Sequence, residues 1–498
     1  MRYISTRGQY RPVTAAEALL TGLAPDGGLY LPEEFPEGAA LNPFTAPGLT
    51  YQQLAGRILA LFLSDFSRAE LEECIHQAYG GNFATPAITP VTMVDAKLGF
   101  LELWHGPTCA FKDLALQLLP HLLTAAARKK RLDREIVLLV ATSGDTGKAA
   151  LEGFKDVPGT KVIVFYPEDG VSAVQKRQMT TQEGNNTFVV GVTGNFDQAQ
   201  AGVKALFTNE AFQREMAAAG KTFSSANSIN WGRLVPQLVY YFKAWFALCQ
   251  NHSLAPGETF NVVVPTGNFG NILAAYYGKK LGLRLHKLIC ASNRNNVLTE
   301  FIQTGVYNRN RQFYQTLSPS MDILVSSNLE RLLYDLTEAD PAQIRAYMGQ
   351  LQRTGCYRLT AAQQERLQEE FWAGFADEGE TTAAIKDVYA RYHYLLDPHT
   401  AVGYKVYRDY LEATGDDRPA IIASTASPFK FNRGVAEAVL GAEAAEEADE
   451  FALMKKLSAA TGVAMPAVLA GLPDQPVRHR QVVAPAAMEE TVRRILGL

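Results

Sequence analysis

Short apolar runs alternate with amphipathic windows along most of this chain. IVLLV at 136–140, KVIVFY at 161–166, TFVVGV at 187–192, FNVVVP at 260–265, KLICAS at 287–292 and AIIAST at 420–425 are too short for typical helices, so they predict strands. Helical spacing falls between them at 146–153, 172–183, 197–219, 232–250 and 271–281. Strand, helix and strand in repeated succession build a parallel sheet with helices on its faces, joined by right-handed crossovers. The expected fold class is α/β.

This texture begins near Val91. Ahead of it, the turn signals of APDGGLYLP at 24–32 and a helical pattern over 51–79 describe an N-terminal module, residues 1–90. Residues 340–394 read as strongly helical. Six acidic residues from Glu437 to Glu450, with no basic residue among them, read as a solvated helix or loop. There is no internal repeat or low-complexity tract.

Composition narrows the function classes. A chain of 498 residues with 47% hydrophobic and 20% charged residues suggests two or three soluble domains. A formal net charge of -4 gives no overall attraction for nucleic acid or an anionic membrane. The five cysteines, Cys74, Cys109, Cys249, Cys290 and Cys356, are scattered without C-x-x-C spacing, so neither a disulfide framework nor a metal site is indicated. The opening MRYISTRGQYRPV has no apolar stretch of a secretory signal, and no apolar run is long enough to span a bilayer. A cytoplasmic location is expected.

Candidate chemistry starts with HGPTCAFKDLALQ at 105–117, where Lys112 stands between Phe111 and Asp113 at the start of an apolar run. A helix start and an apolar frame both disfavour an ammonium, which would leave the amine neutral and nucleophilic. Taken alone, such a lysine more often extends to water. Three loops follow apolar strands, the address at which open α/β sheets bind ligands. ATSGDTGKAA at 141–150 offers backbone amides and hydroxyls for a carboxylate or phosphate. It fails as a Walker A loop, because Thr142 stands where that motif needs glycine and Ala149 follows Lys148. PTGNFGN at 265–271 lets backbone approach an anion at Gly267 and Gly270, with Asn271 opening a helix. STASPFK at 424–430 presents hydroxyls, among them Thr425, that suit a neutral ring nitrogen. Each loop alone is also accounted for as an ordinary turn.

Two further segments carry suitable side chains. SANSINWGR at 225–233 places Asn227, Asn230 and Arg233 ahead of a helical window, a set that fits a phosphate dianion. DPHTAVG at 397–403 puts His399 at a helix start, and both His399 and His105 read more readily as hydrogen-bonded structural histidines than as bases. One lysine in an apolar frame, two anion loops and a hydroxyl loop together match the needs of pyridoxal 5'-phosphate: a tether, a phosphate cradle and a ring-nitrogen partner.

With YISTRG and APDGGLYLP near the N-terminus, these motifs stand in the order of the threonine synthase family, and from about residue 3 to 432 the chain resembles its longer form. The tail after Gly434 carries no recognisable motif of that family. The resemblance implies fold type II, the tryptophan synthase β-like architecture of pyridoxal-phosphate enzymes. It implies a large domain from residues 91–130 and 220–430, a small one from 131–219, an extra N-terminal domain at 1–90 and a C-terminal segment at 431–498. The cofactor is expected in the cleft between the large and small domains.

By the same resemblance Lys112 is the catalytic and cofactor-tethering lysine. Gly267, Asn268, Phe269, Gly270 and Asn271 hold the cofactor phosphate, and Thr425 faces its ring nitrogen. Thr142, Ser143 and Thr146 meet substrate, while Asn227 and Arg233 grip the substrate phosphate. The implied reaction converts O-phospho-L-homoserine and water into L-threonine and phosphate; the spacing offers no metal site, and a monomer or homodimer is expected. A phospholyase or a non-catalytic binding protein on the same fold are the alternatives. Asp145 departs from the wider fold type, which often has asparagine beside the cofactor's phenolic oxygen. Its carboxylate must turn away, share a proton or leave that contact to another group such as Asn230.

Overall fold

The computed structural model describes residues 1–36, 48–142, 144–169, 171–255, 257–446 and 449–498. All six apolar runs are strands, and they divide between two sheets. The larger sheet runs, edge to edge, Phe371–Phe375, Leu285–Ser292, Phe260–Pro265, Ala420–Ser424, Leu98–Glu102 and Val91–Met93. Its first five strands are mutually parallel, and Val91–Met93 adds an antiparallel edge. The central runs read as unbroken apolar text because both faces are covered: every residue of Phe260–Pro265 and Ala420–Ser424 is buried.

Strand order places the site. Leu98–Glu102, Ala420–Ser424 and Phe260–Pro265 are adjacent and parallel, so the loops after them leave the same end of the sheet. Those loops carry Lys112, Thr425 and the 267–271 turn. Pairing continues past the first two strands, with Leu103 N donating to Ser424 O over 2.9 Å and Phe111 N to Thr425 O over 2.8 Å. This is the carboxyl-end crevice of a wound α/β sheet.

The smaller sheet is all parallel, in the order Val482–Val483, Thr187–Val192, Thr160–Pro167, Glu135–Ala141 and Lys221–Ser224. It draws strands from outside 131–219 on both sides. The 431–498 segment supplies Val482–Val483 as an edge, and the helix Met488–Leu496 buries Met488, Val492 and Leu496 in this sheet's core. Helix Asp145–Phe154 leaves the centre of the small sheet and packs on helix Asp113–Leu116 of the large one. The approach is tight: a Cβ on Gly153 would lie 2.0 Å from Leu116 O, so only glycine fits there.

Several expected elements are corrected. The 197–219 window is two helices, Phe196–Thr208 and Glu210–Ala218, because Asn209 leaves helical geometry and caps the second. The 232–250 window is likewise split, into Trp231–Leu234 and Gln237–Gln250, since Pro236 has no N–H for the ladder. Strand Phe371–Phe375 interrupts the helical stretch at 340–394. In the acidic stretch Glu437, Glu443, Glu446 and Asp449 are exposed while Val435, Ala444 and Ala445 are buried; Glu447 lies outside the described residues. The N-terminal residues pair Tyr3–Ser5 with Tyr30–Pro32, and helices Tyr51–Phe62 and Arg68–Tyr79 join the large core, each opened by a capping box.

Candidate active site

Lys112 directly precedes the four-residue helix Asp113–Leu116, and its side chain is 11% exposed. Its Nζ lies 3.4 Å from Asp145 Oδ2 and 3.4 Å from Ser320 Oγ. Burial lowers the proton affinity of the amine most; Asp145 opposes this, and the cations of Lys430 and Arg233 add to it. So short a helix carries little dipole, which leaves desolvation in the role that the sequence divided between the two.

Asp145 opens the small-domain helix and faces straight into the site. Its Oδ1 is 2.8 Å from Lys430 Nζ and accepts from Gln175 Nε2 over 2.9 Å, while Oδ2 accepts from Ser320 Oγ over 3.1 Å. Burial alone would raise this carboxyl, but Lys430 and Lys112 outweigh it and hold Asp145 well below the usual carboxylate range. The carboxylate of Asp145 thus points at Lys112, Lys430, Gln175 and Ser320. Asn230 is wholly committed elsewhere, donating from Nδ2 to Leu19 O and Ser225 O and accepting from Gly232 N. It pins the N-terminal segment to the 225–233 loop. A second buried lysine, Lys430, stands nearer to Asp145 than Lys112 does.

Arg233 is 4% exposed, donates from Nη1 to Ala226 O over 2.7 Å, and its buried Nε has no partner. Burial pushes its guanidinium down to about 10. Asn227, on the same loop, is exposed. Lys112 and Lys430 thus share the Asp145 carboxylate while the Arg233 cation also acts on Lys112, an excess of buried positive charge that calls for anions.

The 267–271 turn lies against Ser320. A Cβ on Gly267 would sit 3.1 Å from Ser320 O and Met321 Cα. Phe269 takes a left-handed φ of 63° at the start of helix Gly270–Lys280, and its ring is buried. Asn268 O accepts from Asn328 N over 3.1 Å and Asn328 Nδ2 over 3.0 Å. Asn271 Oδ1 accepts from Tyr240 over 2.6 Å and from Tyr241, which turns its Nδ2 into a buried donor without a partner. Thr425 is buried and meets Lys112's neighbour through its carbonyl, as above.

The other expected residues lie further out. Thr142 Oγ1 accepts from the amides of Gly144 and Gly147 and so braces the turn from within. Thr146 is partly exposed, and Ser143 lies outside the described residues. His399 is buried; its Nε2 accepts from Ser320 N over 3.1 Å and its Nδ1 lies 2.8 Å from Asp397 Oδ1. With Nε2 accepting, the proton is on Nδ1 and bonded to Asp397. His105 stacks on Trp104 and hydrogen-bonds Glu102 at 2.6 Å, on the sheet side of the loop. Sequence reasoning missed Ser320, Asn328, Arg331 and Lys430.

Family models match this chain over nearly its whole length: "Threonine synthase N terminus" at residues 2–79, "Pyridoxal-phosphate dependent enzyme" at 89–361 and "Threonine synthase, C-terminal" at 400–495. The chain belongs to the threonine synthase family. The last match extends the likeness through the tail after Gly434, correcting the reading that the family's features stop there. Threonine synthase of Pseudomonas aeruginosa is 38% identical over 89% of this chain and 91% of its own. Human "Threonine synthase-like 1" is 42% identical over 85% of this chain, which spans only 58% of that relative's length. A crystal structure titled as PLP-bound threonine synthase from Brucella melitensis superposes with a TM-score of 0.88 at 36% identity, covering 100% of both chains. The architecture is fold type II. No described helix is long and apolar enough to cross a membrane.

Proposed function

We propose that this chain is a cytoplasmic threonine synthase, a carbon–oxygen lyase that converts O-phospho-L-homoserine and water into L-threonine and phosphate with pyridoxal 5'-phosphate held on Lys112. The observation that carries this reading is a buried amine of depressed proton affinity at the mouth of three adjacent strands, among cations that outnumber their one carboxylate. The residues present fit the cofactor. The donor Asn271 Nδ2 is buried and unused on the glycine turn, and a Cβ at Gly267 would be crowded at 3.1 Å from backbone atoms of Ser320 and Met321. Gly267–Asn271 would hold the cofactor phosphate, Lys112 the aldehyde carbon and Thr425 the ring nitrogen. When bound, pyridoxal phosphate supplies an electron sink that acidifies the carbon bearing the substrate's amino group.

The chain's own groups do the rest. Lys112, whose proton affinity burial lowers, would take the α-proton and return protons further along the chain. Arg233, with an unused Nε, and Asn227 would bind the phosphate that leaves. The Thr425 hydroxyl, rather than a carboxylate, at the ring nitrogen would favour its unprotonated form and moderate the sink. The test pairs phosphate release from phosphohomoserine with detection of threonine, on a protein whose visible band is lost on borohydride reduction. Phosphate without threonine, accompanied by an oxo-acid, would overturn the reading in favour of a phospholyase.

A further inference from the structure

Lys430 is a fully buried lysine that the reaction as described leaves unused. It sits in the 3-10 turn Pro428–Phe431, which follows strand Ala420–Ser424 and Thr425. Its Nζ makes two contacts: 2.9 Å to Thr108 O, on the loop leading to Lys112, and 2.8 Å to Asp145 Oδ1, on the small-domain helix. A buried ammonium of this kind persists only when paired, and Asp145 is the carboxylate that pairs it. On the other carboxylate oxygen Lys112 stands further away, at 3.4 Å, the same distance it keeps from neutral Ser320.

We propose that Lys430 is a positioning residue for Lys112: as the closer counter-cation of Asp145, it keeps that carboxylate's ion pair with the reacting amine long and loose. The inference rests on Lys112 being the reacting amine of the function proposed above. Two buried lysines share one carboxylate, and the one held by a second, backbone acceptor takes the closer place. Lys112 is left within reach of Asp145 and free to leave it. The other groups near the pair do not substitute for Lys430. Arg233 is a further cation acting on Lys112, Asp113 is committed to Thr108, Cys109 is a buried thiol, and His399 reaches Lys112 only through Ser320.

The test measures the pH midpoint of Lys112 acylation by an amine-selective reagent in the full chain without added cofactor, mapped by peptide mass spectrometry. Lys430→Met should raise that midpoint by about one pH unit or more, since it both removes a repelling cation and gives Asp145 to Lys112. Lys430→Arg, which keeps the charge, should stay close to the parent. Asp145→Asn should lower the midpoint, and adding Lys430→Met to it should raise it again. That second pair gives an answer even where Lys430→Met alone does not fold. An unmoved midpoint in Lys430→Met, an Arg variant that shifts as far as Met, or identical midpoints with and without Lys430 on the Asp145→Asn background would overturn the proposal. No turnover enters the measurement, so failure to form threonine would leave this result standing and separate.

Discussion

Arg331 donates from Nη1 to Asn328 Oδ1 over 2.6 Å, and through Asn328 it holds the turn proposed to cradle a phosphate. The same fully buried guanidinium donates to Tyr30 O from Nε and to Ile229 O from Nη2, so the N-terminal strand pair and the Arg233 loop are tied to one side chain. Removing it leaves three buried acceptors unpaired. Arg331→Met is expected to cost about 3 kcal/mol or more in urea unfolding and to weaken cofactor binding about tenfold in a spectroscopic titration. Equal affinity at reduced stability would confine Arg331 to the fold.

Lys112→Ala should abolish threonine formation and leave the fold intact. The side chain gives up a desolvated amine and two hydrogen bonds at 3.4 Å, so thermal unfolding should move little. Threonine formation near the parent rate would remove Lys112 from the chemistry.

Arg233→Ala should raise KM for the phosphorylated substrate at least about tenfold, with a smaller change in kcat, because the lost contact is to the phosphate. Arg233→Lys should recover little, since a point charge cannot reproduce a guanidinium already committed on one edge to Ala226 O. Steady-state kinetics decide both.

Asp113 gives a pH signature. Burial lifts its carboxyl to about 6 against the two hydrogen bonds from Thr108. The folded chain therefore keeps a proton that the unfolded chain releases near 4, so this group's stabilisation is complete below the unfolded value and is lost as pH rises toward 6. Asp113→Asn should flatten that part of the profile by on the order of 3 kcal/mol in denaturant unfolding at the two ends of the window. A parallel pH dependence in variant and parent would rule Asp113 out as its source.

The six apolar strands were legible because each lies within a parallel sheet, buries most of both faces and so writes a nearly uninterrupted apolar run. The strand Phe371–Phe375 was not, because its five residues, FWAGF, lie inside a helical neighbourhood and pair only as an edge. The Pro236 break was readable from proline's missing N–H, and the Asn209 break from a good cap in mid-helix. At the site, glycine turns and the lone lysine announced themselves by spacing. Ser320, Asn328 and Arg331 did not, since their roles come from contacts across 60 residues of chain or more. Lys430 had the same signal as Lys112, a single lysine among aromatic and apolar neighbours in SPFKF, and the same criterion applied twice finds it.

The strand Val482–Val483 closes a sheet whose neighbouring strand lies far upstream: Thr193 N bonds to Val483 O, and these residues are 290 positions apart. During synthesis the small domain must therefore wait. Its edge strand and one covering helix emerge only after the whole large sheet has left the ribosome, so the half-site carrying Asp145 is finished after the half-site carrying Lys112. Nascent chains should reach the large domain's protease resistance first and acquire the catalytic cleft last.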